Sequence, residues 1–163
     1  MGNSIYFRPG LREPEPQYSY RVLEEQESYR LEALYCALDA AGRRRRFCAA
    51  VSDESIRSHC EHIWSQSALV FGGFQSNRMD AAIEVVPLSA TWDEAEIAFT
   101  SIRRDYRPVL SALLQLAIDE ARRRSCTKLL TLVGEADAPL LCSLSRVGTI
   151  ELDDDGFARI AIV

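Results

Sequence analysis

An α/β (α+β) domain, a sheet flanked by helices, is what this sequence predicts, and three features carry that expectation. Two stretches with helical apolar spacing lie in the first 64 residues, three strand-like runs follow between 67 and 102, and a long amphipathic helix then leads into a short apolar strand. At 163 residues with 47% hydrophobic composition, the chain has the size and apolar content of one compact domain.

Residues 1–17 carry Pro9, Pro14 and Pro16 among charges and read as an extended arm preceding a single domain over 18–163. YSYRVL (18–23) alternates and is rich in aromatic and branched residues, which makes it the first strand. Leu31, Leu34, Tyr35 and Leu38 recur at helical spacing between Gln26 and Ala40, and Gly42 follows where a helix would stop. The arginines at 43 to 46 then read as solvated charge on a loop connecting the helices, with a contact to an acidic substrate as an alternative; the net acidity of the chain argues against a nucleic-acid patch. Ser52 caps a second helix, with Asp53 and Glu54 at its positive end and Ile56, Cys60, Ile63 and Trp64 as its apolar stripe.

After these helices the period changes. SALVFGGF (67–74), DAAIEVVPL (80–88) and EAEIAFTSI (94–102) form a three-strand meander with polar turns between them. Val109 to Arg124 is the best helix, with Val109, Leu110, Leu113, Leu114, Ala117, Ile118 and Ala121 on one side and Arg122 to Arg124 at its negative end. KLLTLV (128–133) is almost wholly apolar, as expected of a strand covered on both faces. A shorter helix from about 138 to 146 and a hairpin of 149–152 with 157–163 around DDDG complete the chain.

Composition narrows the function. A net charge of −5 and 26% charged residues give no electrostatic basis for nucleic-acid binding, so a small metabolite or a protein is the expected partner. No stretch reaches the roughly 18 apolar residues needed to cross a bilayer, and the opening MGNSIYFRPG lacks the regions of a secretory leader; a cytoplasmic protein is expected. Cys36, Cys48, Cys60, Cys126 and Cys142 are scattered and form no C-x-x-C pair, which suits reduced packing thiols. His59, Cys60 and His62 do not share one helical face, so no metal site is expected.

The order strand, two helices, three strands, helix, strand, helix, strand pair resembles that of the GNAT superfamily of N-acyltransferases, over nearly the whole chain. RFCAAVSDESIRSHCEHI looks like the second-helix region of one bacterial GNAT group, and AEIAFTSIRRDYRPVLSALLQLAIDEARRRSCTKLLTL looks like the superfamily's central strand, loop, helix and strand. The resemblance implies a mixed central sheet flanked by helices and acetyl-CoA as the acyl donor. It implies that Ile102, Arg103, Arg104, Arg107, Val109, Leu110 and Ser111 hold the CoA pyrophosphate, where a helix N-terminus offers free amides and a favourable dipole.

In a typical GNAT protein that loop reads Q/R-x-x-G-x-G/A. Here RRDYRPVLS contains no glycine, is one or two residues shorter, and loses a backbone donor at Pro108. Arg103, Arg104 and Arg107 either replace the lost amide contacts with charge-assisted bonds or form a solvated basic patch. For the arginines at 43 to 46, a contact to CoA phosphate is the other alternative to loop charge.

For amine acylation the resemblance implies a carboxylate near the fourth strand as proton acceptor. Glu94 and Glu96 point to one face of that strand; Glu96, leading into the apolar run, is the candidate base, with an exposed strand carboxylate as the alternative. The positions matching the family's pantetheine-contacting Asn and thiolate-protonating Tyr are Asp137 and Leu144. Asp137 can accept a hydrogen bond or serve as a helix cap, and Leu144 cannot donate a proton. Cys142, Ser143 and Ser145 have no histidine near in sequence to activate them.

Two functions follow as expectations. One is an N-acyltransferase moving acetyl from acetyl-CoA to an amine of a small molecule or protein. The other is a catalytically inactive GNAT-fold subunit used in binding, regulation or assembly, with the N-terminal arm as a protein contact. Pairing of two copies through their sheets is a further expectation.

Overall fold

The computed structural model describes residues 17–103, 106–132 and 138–162. The expected arm up to residue 16, Arg104 and Asp137 lie outside the described residues. The described strands form one mixed seven-stranded sheet in the order β1-β2-β3-β4-β5-β7-β6. They are β1 (Tyr18–Val22), β2 (Leu69–Gln75), β3 (Arg78–Pro87), β4 (Glu94–Ser101), β5 (Lys128–Leu132), β6 (Thr149–Leu152) and β7 (Phe157–Ala161). Every neighbouring pair is antiparallel except β4 and β5, which run parallel.

Among the described residues five α-helices cover the two faces: α1 (Ser28–Cys36), α2 (Ala40–Phe47), α3 (Asp53–His62), α4 (Arg107–Arg123) and α5 (Ala138–Leu144). On one face α4 and α5 bury Leu110, Leu113, Ile118 and Leu144 against Ile83, Val85, Ala95, Ile97 and Leu129. On the other, Leu31, Leu34, Tyr35, Ile56 and Cys60 from α1 and α3 pack on Val70, Phe74 and Ala82. Strand alternation makes this division: Ile83 and Val85 enter one core while Ala82 and Glu84 face the opposite side. β3 therefore reads as an almost unbroken buried run.

The arginine run departs from expectation: it is a helix, not a loop. Asp39 N-caps α2, accepting a 2.6 Å bond from the Gly42 amide, and Cys48 closes it in a left-handed conformation. Gly42 lies inside this helix rather than ending the preceding one. Arginine is a good helix former, and a capped start outweighs one internal glycine. Among the described residues no helix is long and apolar enough to cross a membrane.

Candidate active site cleft

β4 and β5 pair only briefly. The register Glu94–Lys128, Ala95–Leu129 and Glu96–Leu130 is followed by no further pair, although β4 continues to Ser101 and β5 to Leu132. Beyond Glu96 the strands separate, so β4 keeps β3 on one edge and turns its other edge to a cavity of about 490 Å³. The cavity reaches both faces of the sheet. Ile97, Phe99, Tyr106 and Leu140 line it on the α4–α5 side, while Gly42, Arg45, Arg46 and Cys48 line it from α2. Glu96 stands where the strands part, and since its neighbours Ala95 and Ile97 enter the α4 core, its carboxylate points to the α2 side.

The α4 N-terminus closes one end. Tyr106 is its N-cap residue without a side-chain cap; its ring packs 5.4 Å from that of Phe99. The Leu110 amide donates to the Tyr106 carbonyl at 2.8 Å. With Pro108 lacking an N–H, the amides ahead of this first internal bond are those of Arg107 and Val109. The Val109 and Leu110 side chains belong to the core, whereas Ser111 and Arg107 are exposed. Ile102 is half-buried, and its amide donates to the Asp80 carbonyl at 3.1 Å.

Arg103 is tied to β2 and β3. Its guanidinium donates to Gln75 Oε1 at 2.9 Å and Asp80 Oδ2 at 3.4 Å, and lies 5.7 Å from the Tyr18 ring centre. Asp80 is fully buried and also takes bonds from Arg78 at 2.7 Å and the Tyr18 hydroxyl at 3.2 Å. Such a carboxylate needs these donors, which gives Arg103 a structural role at the end of β4.

A second charged cluster fixes α2. Glu84 of β3, 1% exposed, is paired with Arg46 and accepts from the Tyr35 hydroxyl, while His59 Nε2 stands 3.1 and 3.3 Å from its two oxygens. Burial and the neighbouring Arg46 charge lower the His59 pKa to about 4, so the ring is neutral at pH 7 and donates Nε2–H to Glu84. Burial pushes the Tyr35 hydroxyl up as well. With Arg46 answered by Glu84, Arg45 is the cavity-lining cation that makes no hydrogen bond or ion pair with the described residues.

Of the sequence-predicted groups, Glu96 lines the cavity and Glu94 does not; the latter pairs with Lys128 at 2.8 Å. Leu144 is a buried core residue. The Ser143 and Ser145 hydroxyls donate to the carbonyls of Pro139 and Cys142 at 2.9 Å each. His59, Cys60 and His62 diverge: His59 meets Glu84, burial raises the Cys60 thiol to about 12, and the His62 ring contacts the Ser58 carbonyl at 2.7 Å. Sequence reasoning weighed Arg45 only within the arginine run and missed Cys48 and Tyr106. Placing Gly42, Arg45 and Arg46 on one face by their three- and four-residue spacing would have found the α2 wall, had the run been read as a helix.

By sequence, no protein-family model and no curated protein matches the chain. Solved structures do match. The GNAT domain of S. lividans PAT superposes with TM-score 0.69 at 21% identity, over 86% of this chain and 87% of its own. The structure of yncA from Salmonella typhimurium with its cofactor acetyl-CoA gives 0.67 at 11%, over 90% and 95%. That of PaiA N-acetyltransferase from Thermoplasma acidophilum in complex with coenzyme A gives 0.59 at 15%, over 90% and 99%. The chain has the GNAT fold.

Proposed function

We propose that this chain is an acyl-CoA-dependent N-acyltransferase that moves an acetyl group to an amine. The observation that carries the reading is the parting of β4 from β5 at Glu96, which opens one cavity to both faces of the sheet. The residues present fit acetyl-CoA. The edge of β4 beyond Glu96 has no strand partner in the register with β5, so its backbone groups are available to the amides of a pantetheine arm. The Arg107 and Val109 amides and the exposed Arg107 guanidinium suit a pyrophosphate, with Ser111 one turn on. Ile102 and Arg103 support this end by holding β4 to Asp80; Arg104 and Asp137 stay in the proposal on the sequence resemblance alone.

Acetyl-CoA, when bound, supplies the thioester. The protein's part is to orient the acceptor amine, take its proton and exclude water. Glu96 is the proton acceptor because it is the carboxylate at the opening, on the face from which an acceptor would approach. Phe99, Tyr106 and Leu140 give the opposite side of the cavity an apolar lining.

One observation favours a second reading, a catalytically silent GNAT-fold subunit. Arg103 is committed to Asp80 and the segment before α4 has no glycine, which leaves fewer donors for a pyrophosphate. Calorimetric titration with acetyl-CoA and free CoA separates the two. The enzyme reading expects saturable micromolar binding that weakens in Arg107→Ala, and absence of heat at millimolar ligand overturns it.

A further inference from the structure

Building on the acyltransferase reading, we propose that the acceptor is a small amino acid, an amine bearing a carboxylate, and that Arg45 holds the carboxylate. The α2 wall of the cavity presents two guanidinium groups with different fates. Arg46, 11% exposed, spends its charge on Glu84. Arg45 lines the same cavity, is exposed, and has no ion pair or hydrogen bond among the described residues. Helical spacing from Gly42 puts both on the cavity side.

Across the cavity, the strand floor carries the opposite charge at Glu96. The pair is complementary to a zwitterion: the planar fork of Arg45 takes a carboxylate through two parallel N–H donors, and Glu96 attracts the ammonium before accepting its proton. A polyamine brings a second positive charge to a wall whose unanswered charge is already positive, which disfavours it. A single uncompensated arginine matches the one negative charge of a carboxylate. The cavity, about 490 Å³ and shared with an acyl-pantetheine end, has the capacity for a small acceptor.

The test pairs an acylation assay with a binding assay that does not need turnover. With acetyl-CoA, thiol release is followed for the standard L-amino acids, the amides of the best of them, and spermidine. Separately, ligand-observed NMR saturation transfer measures binding of the same amino acids and amides to wild type, Arg45→Ala and Arg45→Lys. The expected result is a kcat/KM for amino acids roughly 10- to 100-fold above their amides, a similar drop in Arg45→Ala carried by KM, and partial rescue in Arg45→Lys, with CoA affinity unchanged. Equal use of amides or of spermidine, or an unchanged amino acid-to-amide ratio in Arg45→Ala, overturns the proposal. If CoA fails to bind, the acyltransferase reading fails by itself. The NMR arm still decides this one: amino acids must bind in preference to their amides and lose that preference in Arg45→Ala.

Discussion

Arg46 of α2 and Glu84 of β3 form a salt bridge in which the carboxylate is 1% exposed and the guanidinium side chain 11%. It joins the arginine-rich helix to the middle of the sheet beside the cavity. Truncating one member strands the other charge in a low-dielectric site, which costs about 3–5 kcal/mol, whereas replacing both by apolar groups costs far less. Arg46→Met is therefore expected to lower urea-unfolding stability by about 3 kcal/mol, and the double variant Arg46→Met, Glu84→Leu to recover a good part of it. Equal stability for the single variant and wild type would show the pair to be solvated.

His59 gives the same cluster a pH dependence. Its pKa falls from 6.5 unfolded to about 4 folded, chiefly through burial and then through Arg46. Between those values the unfolded chain binds a proton that the folded one refuses, so stability rises with pH there. Stability is full above about pH 6.5 and declines as pH falls toward 4, by an order of 2–3 kcal/mol for the 30%-exposed ring. Glu27, Asp93 and Asp153 are held below their ordinary values by Arg21, by the Ser89 and Thr91 hydroxyls, and by the Phe157 amide. Their contributions are present above the ordinary carboxylate range and lost only as pH falls below it. Chemical denaturation in steps from pH 7 to 4.5 should show a slope that flattens in His59→Gln.

How much of this was legible in the sequence depended on whether a feature was local. The strand-like run DAAIEVVPL and the apolar face of Val109 to Ala121 are legible within short windows of sequence, and both elements stand where expected. Four successive arginines carry no apolar period, so their helix, capped by Asp39, escaped notice. The partners of Glu84 lie 25 to 49 residues away in sequence, and no spacing rule reaches that far. Glu96 was identifiable because strand alternation and the resemblance both pointed to it. The separation of β4 from β5, which puts it at the cavity, is a property of two strands more than thirty residues apart.

Gly148 is expected to tolerate no side chain. A Cβ there would lie 2.0 Å from the Ala161 carbonyl oxygen and 3.1 Å from Ile160 Cγ2, and the first of these is backbone that cannot swing aside. Gly148→Ala should therefore force β6 away from β7 and cost about 3 kcal/mol or more, at the upper end for overpacking. A melting midpoint within a degree of wild type would contradict this contact.

Cys48 ends α2 at φ 56°, ψ 14°, a left-handed conformation that glycine adopts without steric cost. Cys48→Gly should stabilise the protein by about 0.5–1 kcal/mol, net of the greater freedom glycine gives the unfolded chain. Cys48→Val should do the reverse, since a branched side chain is least suited to that region. Paired denaturation curves under reducing conditions would check the signs.

Glu94 and Glu96 are the sharpest discriminating pair for chemistry. They share a strand face, but Glu94 is joined to Lys128 at 2.8 Å, while Glu96 lines the opening between β4 and β5. If Glu96 takes the acceptor's proton, Glu96→Gln keeps shape and hydrogen-bonding capacity while losing basicity. kcat should then fall by roughly 10²- to 10⁴-fold with acetyl-CoA affinity unchanged. Glu94→Gln removes only a surface pair worth at most about 1 kcal/mol, so activity should stay within a small factor of wild type. A Glu96→Gln variant with an unchanged kcat would move the base elsewhere.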